Sequence, residues 1–292
     1  MEKVVSKEEA RQAIADAVRE GRTIAFVPTM GALHEGHLSL VRAAKRKRAA
    51  YVVASVFVNP SQFGESTDFE SYPRDLARDA SLLAAEDVDL LFAPTAEVMY
   101  GPGGGLAPGA ATVDPGPLGD LWEGSSRPGH FVGVATVVAK LFGILRPQLA
   151  FFGEKDYQQL RIVEKVVRDL DIATTIVACP VVRDRDGLAL SSRNALLGPG
   201  NRTDALALYA ALQAAEGALA RGEASADALE ALMAAEFAAR PGADLDYAVV
   251  VDPLTLAPMP VVDRPARALV AGRVGSVRLI DNAPLTPPLD RP

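Results

Sequence analysis

The run "YVVASVFV" (51–58) carries no charge and is rich in β-branched side chains. At that length it reads as a strand buried on both faces, which needs helices above and below it. The flanking sequence supplies them. "TIAFVP" (23–28) and "VDLLFAP" (88–94) are further buried strands, "GHLSLVRAAKRKR" (36–48) has apolar residues at helical spacing, and another helix is expected at about 74–86. Ser6 followed by Glu9 is a capping-box pattern for a helix over 7–20, with Gly21 as its stop. Strand and helix in alternation predict an α/β fold with a parallel sheet. The pattern resumes with a helix over 131–145, strand "LAFF" (149–152), a helix over 157–170 and strand "TTIVACPVV" (174–182). Sheets of this kind bind ligands at the carboxyl ends of their strands.

Between the two halves lies "YGPGGGLAPGAATVDPGPLGD" (100–120), dense in Gly and Pro, which reads as surface loop with one short strand near Ala111–Val113. After residue 182 the character changes. "RDRDG" looks like a turn, residues 202–240 predict two helices broken near Gly222, and short strands follow at about 246–251, 267–272 and 276–281. The expected organisation is therefore a Rossmann-like parallel-sheet domain over 1–182 and a smaller α+β domain over 183–292. The Pro-rich end "APLTPPLDRP" is expected to be poorly ordered.

Composition narrows the function classes. Cys179 is the only cysteine, so no internal disulfide forms and a cysteine-based zinc site is excluded. The formal charge of −7 argues against a nucleic-acid partner. The one basic run, Lys45 to Arg48, falls where a helix should end, and cations there suit the helix dipole. No apolar stretch approaches the roughly 18 residues of a membrane span, and the N-terminus lacks the apolar region of a secretory signal. A soluble cytoplasmic protein without a membrane partner is expected.

Four stretches could carry chemistry. "TMGALHEGHLSL" (29–40) places His34 and His37 around Gly36, in a chain with three histidines. Zinc pairs on a helix usually stand four apart with a Glu between them, and here partners are lacking. Histidines at a strand–helix junction can donate to phosphate oxygens, more strongly when protonated, beside backbone N–H groups that attract anions. The plainer reading makes both ordinary helix-start residues. "FFGEKDYQQL" (151–160) puts Lys155 and Asp156 just after a strand, followed by Gln158 and Gln159, which suit a hydroxyl-bearing substrate; a capped helix with a solvated Lys–Asp pair is the alternative. "GLALSSRN" (187–194) offers two hydroxyls and a guanidinium fork matched to phosphate, or a Ser-rich turn with a surface Arg. In "SVFVNPSQFG" (55–64) Asn59-Pro60 is a stop signal, and Gln62 stands just beyond the strand end to read a polar substrate.

In order, and joined by "DFESYPRDL", "DVDLLFAP" and "EGSSRPGHF", these stretches resemble the pantoate–β-alanine ligase (pantothenate synthetase) family from about residue 23 to 198. His34-Glu35-Gly36-His37 is similar to the HxGH signature of a nucleotidyltransferase superfamily that includes the class I aminoacyl-tRNA synthetases. Leu190-Ser191-Ser192-Arg193 resembles its second phosphate loop. The resemblance implies a C-terminal domain closing over the nucleotide, and a homodimer. It implies that ATP, with Mg²⁺, converts pantoate to pantoyl adenylate and pyrophosphate, and that β-alanine then displaces AMP. His34, His37, Lys155, Ser191, Ser192 and Arg193 are the implied catalytic donors. Pro28, Thr29, Met30, Gly153, Asp156, Val182 and Leu190 are implied as further ATP contacts. Gln62 and Gln159, with Met30 and Tyr72, are implied for pantoate or β-alanine. Asp79 is implied as metal-linked or structural support, and 64–75 as a mobile lid. Loop 101–109 and Val132 depart from the family pattern. A ligase of the same superfamily acting on another hydroxy acid is the alternative, as is a nucleotide-binding regulatory protein that has lost catalysis.

Overall fold

The computed structural model describes residues 1–48, 50–63, 69–70 and 72–287. It divides into two units: residues 1–154 with 158–180, and residues 155–157 with 181 onward. The short segment Lys155–Tyr157 thus groups with the second unit although the helix it opens belongs to the first.

The first unit is a six-stranded parallel sheet of β1 (Glu2–Val4), β2 (Thr23–Thr29), β3 (Ala50–Val56), β4 (Leu90–Phe92), β5 (Leu149–Gly153) and β6 (Thr175–Cys179). Its order is β1-β4-β3-β2-β5-β6. The chain runs outward from β2 through β3 on one side and returns with β5 on the other, so the order reverses between β2 and β5. A crevice at such a switch point is where open α/β sheets bind ligands. The central strands are buried on both faces, and Ile24, Phe26, Leu90, Leu91, Phe92 and Phe151 are among the largest fully buried side chains. Each contributes about 1.5–3 kcal/mol over an exposed counterpart.

Helices α1 (Lys7–Arg19), α2 (Glu35–Lys45), α3 (Leu76–Ala85), α4 (His130–Leu145) and α5 (Tyr157–Asp169) connect the strands. The Ser6/Glu9 capping box opens α1 as the sequence predicts. Strand β1 was not expected; three residues show no period, and only pairing with β4 makes them a strand. β6 stops at Cys179, short of residue 182, because Pro180 has no N–H for the ladder. The strand expected near Ala111–Val113 does not form. The Val113 N–H instead donates to Thr136 Oγ1 on α4 at 2.9 Å.

The second unit is an antiparallel sheet, β7 (Ala243–Val251), β8 (Ala266–Val274) and β9 (Val277–Leu285), with helices α6 (Pro199–Ala220) and α7 (Ala226–Ala238). Ala205, Leu208, Ala211, Leu212 and Ala215 recur at helical spacing and pack with Val250, Ala268 and Val270 of the sheet. β9 runs into the segment expected to be disordered: Ala283 pairs with Ala268 and Leu285 with Ala266. The rest of that expectation, residues 288–292, lies outside the described residues, as do 64–68 and 71 of the expected lid.

Candidate active site

Beyond Thr29 the chain leaves β2 through a turn that needs Gly31, whose φ is +84°. A Cβ there would lie 2.8 Å from Asp79 Oδ2 and 3.0 Å from Val56 Cγ1. Asp79 comes from α3 and is buried. Its Oδ2 accepts from the Ala32 N–H at 2.9 Å and its Oδ1 from the Leu33 N–H at 2.8 Å. One carboxylate thus binds two successive backbone amides, so of the two expected roles the hydrogen bonds support the structural one. Thr29 is similarly committed: its hydroxyl donates to the Ser55 carbonyl at 2.7 Å and accepts from the Gly31 N–H at 3.2 Å. Pro28 is a β2 residue in register with Ser55.

Helix α2 then starts with a capping box made of the two histidines. His34 Nδ1 accepts from the Gly36 N–H at 3.2 Å, and His37 Nδ1 accepts from the His34 N–H at 3.4 Å. The rings lie 4.1 Å apart, centroid to centroid. The plain capping role is therefore real, and it has a chemical consequence. A nitrogen that accepts carries no hydrogen, so each neutral ring holds its hydrogen on Nε2. Capping orders two Nε2–H donors at the carboxyl end of β2, beside the amino end of a helix, where an anion is favoured. The neutral rings can already donate, as the sequence reading allows, and a second proton would add charge.

Gln62 stands at the end of a short 3-10 turn, Pro60–Gln62, after β3. Its side chain is buried. Asn59 Nδ2 donates to Gln62 Oε1 at 3.1 Å, and Gln62 Nε2 lies 2.9 Å from Met30 Sδ. Two residues expected to touch the organic substrate are therefore in contact. The Gln62 carbonyl accepts from His130 Nδ1 at 2.7 Å and from Arg127 at 3.4 Å. Asn59 Oδ1 accepts from Tyr100 Oη at 2.6 Å, and burial raises the Tyr100 hydroxyl above its usual titration range, keeping it a donor. Asn59 Nδ2 also donates to the Gly133 carbonyl at 3.2 Å. α4 lies so close here that a Cβ on Gly133 would sit 2.2 Å from the Ser61 carbonyl oxygen. The sequence reading found Gln62 but treated Asn59 only as a stop, and assigned nothing to Tyr100 or His130. Tyr72, also expected at the substrate, is buried with its ring 5.8 Å from that of Phe63.

The adjacent glutamines of α5 separate by burial. Gln158 Nε2 donates to the carbonyls of Leu118 and Leu121 at 2.9 and 2.8 Å, and its Oε1 accepts from the Glu123 N–H at 3.1 Å. It clamps the segment 116–126, which holds the 3-10 turn Gly116–Gly119 and the short helix Glu123–Ser126. Gln159 is half-buried. Gly153 ends β5, the neighbour of β2 across the switch point.

In the second unit Lys155 Nζ lies 3.3 Å from Asp156 Oδ1, with the lysine side chain 20% and the aspartate 49% exposed. Val182 and Leu190 face each other across a hairpin through the Leu190 N–H to Val182 carbonyl bond of 2.9 Å. Arg202 ties that hairpin from α6, donating to Asp184 at 2.7 Å and Asp186 at 3.0 Å. Ser191 caps the 3-10 turn Ser192–Leu196 by accepting from the Arg193 N–H at 3.3 Å. The loop thus presents Ser191, Ser192 and Arg193 consecutively from a fixed base. Among the described residues, no three His, Cys, Asp or Glu side chains group to hold a metal ion, and no helix is long and apolar enough to cross a membrane.

Known proteins are similar to this chain in sequence and in fold. The family model described as Pantoate-beta-alanine ligase matches residues 2–284. The pantothenate synthetase of Rubrobacter xylanophilus is 56% identical over 269 residues, covering 91% of this chain and 92% of its own. The crystal structure of pantothenate synthetase from Thermus thermophilus superposes with a TM-score of 0.90 at 48% identity, covering 97% of this chain and 99% of that one. The Francisella tularensis pantoate-beta-alanine ligase, complexed with beta-gamma ATP and beta-alanine, gives 0.80 at 34% identity, covering 97% of both chains. With two histidine donors ordered at the end of β2, a glutamine held against Met30 and a match along nearly its whole length, the chain belongs to the pantoate–β-alanine ligase family.

Proposed function

We propose that the chain joins pantoate to β-alanine in two half-reactions, through a pantoyl adenylate. ATP-dependent ligation of these substrates is the activity of its family, and the Francisella relative carries an ATP species and β-alanine together. The observation that carries the mechanistic reading is the histidine capping box, which sets Nε2–H donors at the switch point of the sheet.

A carboxylate is a poor acyl donor because its leaving group would be oxide; adenylation makes the leaving group AMP. Pantoate's carboxylate attacks the α-phosphorus in line and pyrophosphate leaves. Two anions repel, so the protein's task is to supply positive charge and orientation. In this reading His34 and His37 donate to the triphosphate, and Lys155, Ser191, Ser192 and Arg193 neutralise charge as pyrophosphate departs. Gln62 and Gln159 hold pantoate by its hydroxyls and carboxylate, with Met30 and Tyr72 beside them. Gly153 and Asp156 serve the ribose. Pro28, Thr29, Val182 and Leu190 contact ATP through backbone, which fits the commitment of the Thr29 hydroxyl to Ser55 and Gly31. β-Alanine's amine then attacks the acyl carbon, giving pantothenate and AMP.

Mg²⁺ enters this scheme as part of the substrate, carried on the phosphates, the usual way for a cation that dehydrates reluctantly. Asp79 supports the 31–33 turn. The working form is proposed to be a cytoplasmic homodimer, an expectation that rests on the family.

The test is AMP formation from ATP. Turnover should need pantoate and β-alanine together, while pantoate alone should support exchange of labelled pyrophosphate into ATP. AMP formation with another hydroxy acid at equal efficiency would redirect the assignment within the superfamily.

A further inference from the structure

The functional reading leaves unused a polar network in the second unit. Asn282, on β9, is buried. Its Nδ2 donates to the Lys155 carbonyl at 2.9 Å. Its Oδ1 accepts from Arg267 Nε at 2.7 Å and from the same guanidinium's Nη2. Arg267, also buried, lies over the ring of Tyr157, 4.1 Å from its centroid, and Tyr157 Oη donates to the Pro253 carbonyl at 3.0 Å. A buried arginine and a buried asparagine therefore converge on the three-residue segment that begins with Lys155.

The neighbouring residue does the same for the other phosphate loop. Asp281, buried, receives both arms of Arg183, from Nη1 to Oδ2 and from Nη2 to Oδ1 at 2.9 Å. Arg183 also donates to the Gly187 carbonyl at 3.1 Å, inside the hairpin that leads to Ser191. Successive strand residues point to opposite faces. Asp281 shares the face of Leu279 and Ala283, which pack in the helix-covered core; Asn282 shares the other with Arg267, whose register partner is Pro284. Two consecutive residues of one strand thus hold the Lys155 backbone on one face and the base of the 182–193 loop on the other.

We propose that Asn282 is a positioning residue for adenylation, fixing the Lys155 backbone in register with the loop that carries Ser191, Ser192 and Arg193. The inference rests on the reading of Lys155 as a phosphate donor. Adenylation requires charge at defined places around a departing pyrophosphate, and a misplacement of about 1 Å costs up to a hundredfold in rate.

Asn282→Asp keeps the size and the acceptor for Arg267 but removes the donor to the Lys155 carbonyl. In pantoate-dependent pyrophosphate exchange it should lower kcat about tenfold with the pantoate KM within about twofold, and it should also lower the thermal midpoint, since a carboxylate oxygen then faces the Lys155 carbonyl. In a Lys155→Ala background the same change should matter less than about twofold, because it acts through Lys155. Parental kcat in Asn282→Asp, or an equal loss in both backgrounds, overturns the proposal. If Lys155→Ala itself keeps parental exchange, the reading of Lys155 falls and takes the proposal with it. Should Asn282→Asp fail to fold, Arg267→Lys, which loses the fork to Asn282 but keeps a cation over Tyr157, is measured in the same two backgrounds. It should show the same background dependence, and equal effects would overturn the proposal.

Discussion

The turn at 30–37 and the hairpin at 182–193 hold their donors by different means. The first is fixed by local bonds and one remote carboxylate: two histidines cap their own helix, and Asp79 binds the amides of Ala32 and Leu33. The second is fixed by charges distant in sequence, Arg183 with Asp281 and Arg202 with Asp184 and Asp186. A site built from neighbours in sequence shows its chemistry as a motif. A loop held by distant ion pairs shows only the groups at its tip.

The comparison breaks most directly at the donors. Lys155→Ala or His37→Ala should reduce pantoate-dependent pyrophosphate exchange more than about a hundredfold, the scale for losing a partner of transition-state charge. Near-parental exchange in either variant would remove that residue from the mechanism. Gly133→Ala should cost about 3 kcal/mol in chemical denaturation, because the new Cβ meets the Ser61 carbonyl. An unchanged denaturation midpoint would mean that α4 can withdraw from the Gln62 turn.

Asp79→Asn sharpens the contrast, since it sets an amide hydrogen against a backbone N–H. It should lower stability by about 2 kcal/mol while leaving the Mg²⁺ concentration dependence of turnover unchanged. A shift in that dependence with stability intact would make Asp79 a metal ligand. The smallest effects should separate the paired glutamines. Gln159→Ala should raise the pantoate KM about tenfold with little change in thermal midpoint, whereas Gln158→Ala should lower the midpoint through three lost bonds and spare the KM. Gln62→Ala should raise the pantoate KM well above any change in the ATP KM; equal effects on both would count against its role.

Much of the first unit was legible because its signals are local. β3 reads as a continuous apolar run and α1 as a capping box, whereas the strand order, with its reversal between β2 and β5, was decided by pairing in the fold. β1 was missed because three residues carry no period. The strand expected near Ala111–Val113 does not form; the Val113 N–H meets Thr136 of α4, a partner distant in sequence. By residue type alone Gln158 and Gln159 read alike, because adjacent residues of equal chemistry differ only in which way the helix turns them; only the family resemblance singled out Gln159.

By itself the sequence determined the alternation of strand and helix, the smaller α+β unit and the residue types gathered at strand ends, since each follows from spacing, caps and turn residues close together in the chain. Only the tertiary structure decided that Asp79 serves a turn, that Asn59 and Tyr100 stand behind Gln62, and that β9 reaches back to Lys155 through Asn282. Those bonds join residues far apart in sequence, where no period or motif links them. A buried polar group must find its partner in space, and for these side chains the fold alone determines which partner it meets.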